Sequence, residues 1–492
     1  MPNRLAGLAV SVRARWVSPV RAAAPGRRQP ASRRGTAMTS DRIPAEERAD
    51  LDATAERLRA GGVSMVETSF VDNAGVVRVK SVPLDRLGFA ARYGIGVSPC
   101  FETFCFDDVM VLGRHLGGPD GDLRLIPDLD RLVPLAAQPG WAWAPADKFV
   151  QEGPRFAACQ RAFAASQAEA LQARGLRVLA AFEHEWALGA GGVEDFVPAV
   201  TGSAYGQPRL EVVADYARDL VDALHAQNLV VHQFHPEYTT GQLELSVAAT
   251  DPVAAADDAV LVRHTVRQVS LRHGWRASFA PCVVPGVPGS GAHLHLSLRD
   301  EQGSLFHGGD GPHGLRREGE AFLAGVLAEL PALQAVGAGN PASYLRLQPS
   351  RWAGVWQVWG REAREAAIRL VLGVTGTGDW AANAEVKCFD ATANPYLVVG
   401  AVLAAGAQGM RAGLRLPAEV SGDPVLLPEE QQPARLPTSP LAAADALEGS
   451  RVLAEAMGEA LHDAVVTVRR GEGERFAEAE PAELVSLTRW RW

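Results

Sequence analysis

Four segments of this chain set polar side chains two residues apart, or alternate them with apolar neighbours. Glu183 and Glu185 lie in AAFEHEWAL, His293 and His295 in GAHLHLSL, and Glu385 and Lys387 in AEVKCF. In GQLELS, Glu244 alternates with Leu243 and Leu245 and shares its parity with Gln242. Residues i and i+2 of a β-strand point to the same face, so each pair converges on one surface. Glu237 precedes Glu244 by seven residues, across a turn expected at Thr239-Thr240-Gly241. Burying even a neutral polar group without a partner costs about 2–7 kcal/mol. Two carboxylates on an apolar strand face therefore need a cation or must face water. Five glutamates and one imidazole suit hard divalent ions such as Mg²⁺ or Mn²⁺. So many ligands suggest two or more ions, the arrangement used for phosphoryl transfer from ATP. Singly, each pattern has a plainer reading: an ExE strand is usually a solvated face, and GSG is often only a turn.

These strands need a scaffold. Residues 155–174 are Ala-rich and helix-prone, and Gly175 ends them. Beyond that point helical stretches alternate with strand-like runs at LRVLAAFEHEWAL, HQFHPEY, GQLELSV, ASFAPCV, AHLHLSL and AEVKCF. Such alternation suggests an α/β domain, with some neighbouring strands antiparallel. Earlier, VSMVETSFVDNAGVVRVKSVPL reads as two strands around a turn at Asp72-Asn73-Ala74-Gly75. The organisation expected is a basic tail over 1–47, a small mixed-β domain over 48–147 and a catalytic domain over 148–492. Residues 416–438 read as a surface excursion, and the apolar run from Tyr396 to Met410 as a buried helix too short to span a bilayer.

The 492 residues carry a formal net charge of -9, which argues against nucleic acid as the main partner. Residues 1–37 hold eight Arg and no acid. That start is compatible with an organellar transit peptide, a disordered tail, or initiation at Met38. The five cysteines are scattered without a CxxC pair, which fits a reducing cytoplasm rather than a disulfide framework or zinc–thiolate site.

The ordered set is ExE at 183–185, Glu237, GQxE at 241–244, GSGxHxH at 289–295, RL at 346–347, Arg364 with Arg369, and Glu385 followed by DxxANPYL at 390–397. In this combination the chain resembles the glutamine synthetase superfamily over roughly residues 60–490. The resemblance implies an α+β protein, with an N-terminal β-grasp domain followed by a catalytic α/β barrel domain. It implies that Glu185, Glu237 and Glu244 hold one metal and Glu183, His293 and Glu385 another. His295 and Ser297 would contact the nucleotide, and Arg364 and Arg369 the ATP phosphates. Arg346 would bind the carboxylate substrate, under a loop containing Gly289. The implied reaction activates a carboxylate as an acyl phosphate and passes it to an amine. The implied assembly is a large homo-oligomer with shared active sites.

Departures from the family pattern bear on the substrates. The family's FDGSS-like segment, whose Asp helps bind ammonium, reads GVSPCFETF at 96–104. The loop glutamate that deprotonates ammonium, six residues after the RL arginine, is Trp352. The residue before GSG is Pro288, and the arginine after the metal glutamate is Lys387, which keeps charge but loses the fork. The adenylylation tyrosine has no counterpart in SGDPVLLPEE. These changes point to a γ-glutamyl–amine ligase for an amine larger than ammonia, with Trp352 and Lys387 at the substrates. An ammonia-using synthetase and a non-catalytic nucleotide-binding regulatory homologue stay open.

Overall fold

At the DNAG turn the chain reverses between β1 (Met65–Val71) and β2 (Val77–Pro83), which pair antiparallel. Gly75 takes φ 78° there, a conformation that L-residues rarely adopt. The computed structural model describes residues 45–492, so nearly all of the expected tail, 1–44, lies outside the described residues. With β3 (Ile95–Val97), β4 (Leu123–Pro127), β5 (Val133–Pro134) and β6 (Trp141–Val150), the first hairpin forms a six-stranded sheet ordered β2-β1-β6-β4-β3, with β5 on β6. β6 runs parallel to β1 and antiparallel to β4. The expected boundary at 147/148 falls inside β6. One apolar cluster of this sheet gathers Phe70, Val97, Leu123, Leu125 and Ala146; a second gathers Val66, Leu84, Leu87 and Ala142 with Leu58 of the helix Ala45–Ala60.

The Ala-rich helix forms at Gln160–Gln172, and Gly175 at φ 77° turns the chain into the long strand β7 (Arg177–Ala190). A nine-stranded sheet grows around it from β8 (Val231–Pro236), β9 (Gln242–Val247), β10 (Trp275–Ser278), β11 (Leu294–Asp300), β12 (Gly303–Ser304), β13 (Trp356–Arg361), β14 (Ala366–Val371) and β15 (Asn383–Val386). Its order is β13-β14-β15-β11-β7-β9-β8, with β10 on β7 and β12 on β11. β13 and β14 pair in parallel, and the other ladders of this sheet are antiparallel. The protein is therefore α+β. Tight turns such as the one before Gln242 join only antiparallel neighbours, so the alternation read from the sequence does not build a parallel sheet. The expected barrel is, among the described residues, a sheet ending at β13 and β8. Only residues 275–278 of the stretch around ASFAPCV are strand.

The helix Pro395–Ala412 packs against the helices Arg317–Gly337 and Gln160–Gln172. Arg317–Gly337 has the length and apolar character of a membrane-crossing helix, yet Phe322, Leu323, Val326, Leu330 and Leu333 are buried in the core. A C-terminal helix, Arg451–Arg475, supplies the buried Arg469 and Glu472. All five cysteines are free.

Candidate active site

Strand register brings the acids together. On β7 and β9, Glu185 stands directly opposite Glu244 and Glu183 opposite Ser246. Across the other side of β7, the Glu183 N–H donates to the His293 carbonyl at 2.9 Å. Further along the sheet, Arg369 of β14 faces Glu385 of β15, which faces His295 of β11. Glu237 follows β8, and Gly241 at φ 80° completes the turn that returns the chain to Glu244.

Three ligand sets result, each with donor atoms within 4.8 Å of one another: Glu183, His293 and Glu385; Glu183, Glu185 and Glu244; and His235, Glu237 and Glu244. They line a cavity of about 530 Å³. Gly289, Arg346, Trp352, Arg364, Arg369 and Lys387 line it too, so twelve of the fourteen residues singled out in the sequence meet there. His295 stands beside it, with Nε2 3.6 Å from Glu183 and Nδ1 3.0 Å from Asn383 Oδ1. Ser297, one step further along β11, does not line the cavity.

The carboxylates are held in two ways. Glu185 Oε2 accepts from Gln242 Nε2 at 2.7 Å and from the Gly291 N–H at 3.0 Å. Gly291 leaves room for both neighbours: a Cβ there would lie 2.5 Å from His293 Nε2 and 2.6 Å from Arg346 Nη2, and these side chains would have to shift. Glu385 accepts from Lys387 Nζ at 2.9 Å and from Arg369 Nη1 at 3.0 Å. His293 Nδ1 lies 2.7 Å from Glu183 and 3.1 Å from Glu385. Its Nε2 lies 3.0 Å from Arg346 Nη2 and accepts when the ring is neutral with its proton on Nδ1.

Burial alone would raise every one of these carboxyls. At Glu183 the hydrogen bonds from His293 and His295 overcome it and hold the group below the usual range. At Glu385, Lys387 and His293 do the same. Glu244 goes the other way. Burial and the charges of Glu183 and Glu185 push it up to about 7 against the pull of His235. Glu185 is likewise raised by burial. His235 is raised to about 9, chiefly by its hydrogen bond to Glu244. Acids crowded this way favour divalent cations, and the donor set of carboxylate and imidazole fits them.

Cationic side chains interleave with these acids: Arg369 and Lys387 reach Glu385, and Arg346 reaches His293. Arg346 is buried, gives Nη2 to the Lys387 carbonyl at 3.2 Å, and has no partner for Nη1 among the described residues. A buried unpaired guanidinium nitrogen is costly, and a ligand carboxylate would satisfy it. Arg364 is exposed at the rim. Near the mouth, Tyr205 donates its hydroxyl to Glu237 at 2.9 Å, and Tyr238 stands edge-on to Trp352 with ring centres 5.3 Å apart.

His235, Tyr205 and Tyr238 were not among the residues singled out. His235 had a readable signal, since it precedes Glu237 by two residues in HQFHPEY. The tyrosines had none, because their placement depends on loops.

A family model described as glutamine synthetase, catalytic domain, matches residues 157–485. The gamma-glutamylpolyamine synthetase GlnA3 of Streptomyces coelicolor is 49% identical over 447 residues, 89% of this chain and 96% of its own length. A glutamine synthetase of Mycolicibacterium smegmatis is 31% identical over 58% of this chain and 65% of its own. Among solved structures, a glutamine synthase homologue superposes with TM-score 0.77 at 32% identity, covering 86% of this chain and 97% of that one. GmaS in complex with ADP superposes with TM-score 0.76 at 26% identity, covering 87% and 96%. The match spans the strands that carry the acids, the arginines and the histidines, and the chain belongs to the glutamine synthetase family of ATP-dependent carbon–nitrogen ligases.

Proposed function

We propose that this ligase joins the γ-carboxyl of glutamate to an aliphatic polyamine. The carrying observation is Trp352: an indole, which cannot act as a base, lines the cavity where the family pattern has a glutamate. It supplies an apolar, cation-attracting surface suited to a carbon-bearing amine. The Streptomyces coelicolor relative, named for a polyamine product, supports the same reading.

In this reading Glu185, Glu237 and Glu244 hold one divalent ion and Glu183, His293 and Glu385 another, with Mg²⁺ or Mn²⁺ suited to both. When bound, such ions neutralise phosphate charge and align the γ-phosphoryl group. Arg364 and Arg369 grip the phosphates, and His295 with Ser297 extends toward the nucleotide along β11. Arg346, through its free Nη1, and the point charge of Lys387 orient the acid, with Gly289 above it. A γ-carboxylate oxygen attacks the γ-phosphorus as the β–γ P–O bond breaks and ADP leaves. The amine lone pair then attacks the acyl carbon, phosphate departs with the C–O electrons, and the nitrogen sheds a proton. Water must be excluded between the two steps.

Three further parts of this reading are a β-grasp domain over 48–147 ahead of a catalytic domain over 148–492, a large homo-oligomer, and a cytoplasmic setting inferred from cysteine usage. Light scattering tests the oligomer. The chemistry is tested with glutamate labelled with ¹⁸O in its γ-carboxyl, ATP, Mg²⁺ and spermidine. Transfer of one ¹⁸O to inorganic phosphate, with a γ-glutamyl amide in the mass spectrum, is expected. Phosphate without label, or no amide, contradicts the reading.

A further inference from the structure

Glu365 is a buried carboxylate that is neither a cavity-lining residue nor one of the metal-ligand candidates. It is 6% exposed. Its Oε1 accepts the Trp352 N–H at 2.8 Å. Its Oε2 is buried with no partner among the described residues. Ser350 and Trp352 have left-handed backbones, φ 58° and 54°. For a bulky aromatic residue that is a true outlier, and it persists only where the surroundings enforce it. The loop is fixed on either side as well. Ser350 Oγ donates to Asp423 at 2.6 Å. Gly354, at φ 65°, lies so close to Lys387 and Ala367 that a Cβ would come within 3.0 Å and 3.1 Å of their atoms. On this loop the Trp352 indole is 44% exposed and lines the cavity, edge-on to Tyr238, which is 45% exposed.

We infer that Glu365 is a positioning residue for amine recognition, holding the 350–354 loop so that Trp352 and Tyr238 form the wall against which the carbon chain of the amine packs. This rests on the cavity being that of a γ-glutamyl–amine ligase. It goes beyond that reading by assigning amine selectivity to a buried acid that touches no substrate. Ammonium has no carbon to pack, and in the proposed function ATP and glutamate are held by the metal ligands and arginines rather than by this loop. Only the larger amine should register a disturbed loop.

The test is steady-state kinetics of wild type, Glu365→Ala, Glu365→Gln and Trp352→Ala, with ATP, Mg²⁺, glutamate and either spermidine or 1,4-diaminobutane. Glu365→Ala should raise the amine KM about tenfold, the scale of one lost charge-assisted hydrogen bond. The KM values for ATP and glutamate, and kcat, should stay within about twofold. Trp352→Ala should shift the amine KM in the same direction, and the double variant should add little to either single change. Glu365→Gln keeps one acceptor oxygen and should show the same split at smaller amplitude, which covers an alanine variant that fails to fold. An unchanged amine KM in a wild type that does turn over polyamine, or a parallel rise in all three KM values, overturns this inference alone. A wild type that turns over no amine overturns the parent reading and this one with it.

Discussion

Glu185 and Glu244 sit side by side on adjacent strands, and both are raised by burial. Like charges so placed destabilise the empty site, and a divalent ion turns that cost into affinity. The geometry is kept by neighbours that are not ligands. Gln242 holds Glu185 Oε2 at 2.7 Å. Replacing such an outer partner typically costs 10–100-fold in metal affinity. Gln242→Leu should therefore weaken Mn²⁺ binding by about 10–100-fold, measured by electron paramagnetic resonance titration. Unchanged affinity would mean that Glu185 is oriented by something else. Glu185→Ala should abolish metal-dependent turnover, and retained activity would remove Glu185 from the ligand set.

Strands do the positioning, and their parity was legible in the sequence while their pairing was not. The i, i+2 rule placed Glu183 with Glu185 and Glu385 with Lys387 around one cavity. Ser297 of β11, which the family resemblance rather than a spacing rule singled out, pairs with Leu179 and does not line the cavity. Parity names a face; only register says where along the face the site ends. The opposition of Glu185 and Glu244 joins β7 to β9, strands more than 50 residues apart, so no local pattern announced it. The parallel pairing of β13 with β14 was not legible either. The segment before β11 offers a direct check on positioning. Gly291→Ala places a methyl group against His293 and Arg346. Misplacement by about 1 Å can cost about 100-fold, so kcat/KM should fall by that order while the thermal midpoint moves little. Near-wild-type activity would show that the loop yields.

Across the whole molecule, Arg469 and Glu472 of the C-terminal helix reach the segment around the first sheet. Arg469 donates to the Asn73 carbonyl, and Glu472 accepts the Phe106 N–H at 2.8 Å and pairs with Arg469 at 3.0 Å. Burial pushes the Glu472 carboxyl up to about 7 from 4.5, against the attraction of Arg469. A carboxyl raised on folding contributes full stability below its unfolded value and loses that contribution as pH rises through the folded one. Glu472→Gln should therefore gain stability relative to wild type between about pH 4.5 and 7 and hold that gain above it, measured by urea unfolding across pH. A constant difference through that window would contradict the assignment. At the same scale, carboxylates and arginines interleave around one cavity, which supports the proposal that ATP and an acid are held there together with Trp352 selecting the amine. The most direct test is the ratio of kcat/KM for spermidine to that for ammonium, with glutamate, ATP and Mg²⁺. The account predicts a ratio well above one, with ADP formed in step with γ-glutamylspermidine; a preference for ammonium, yielding glutamine, would contradict it.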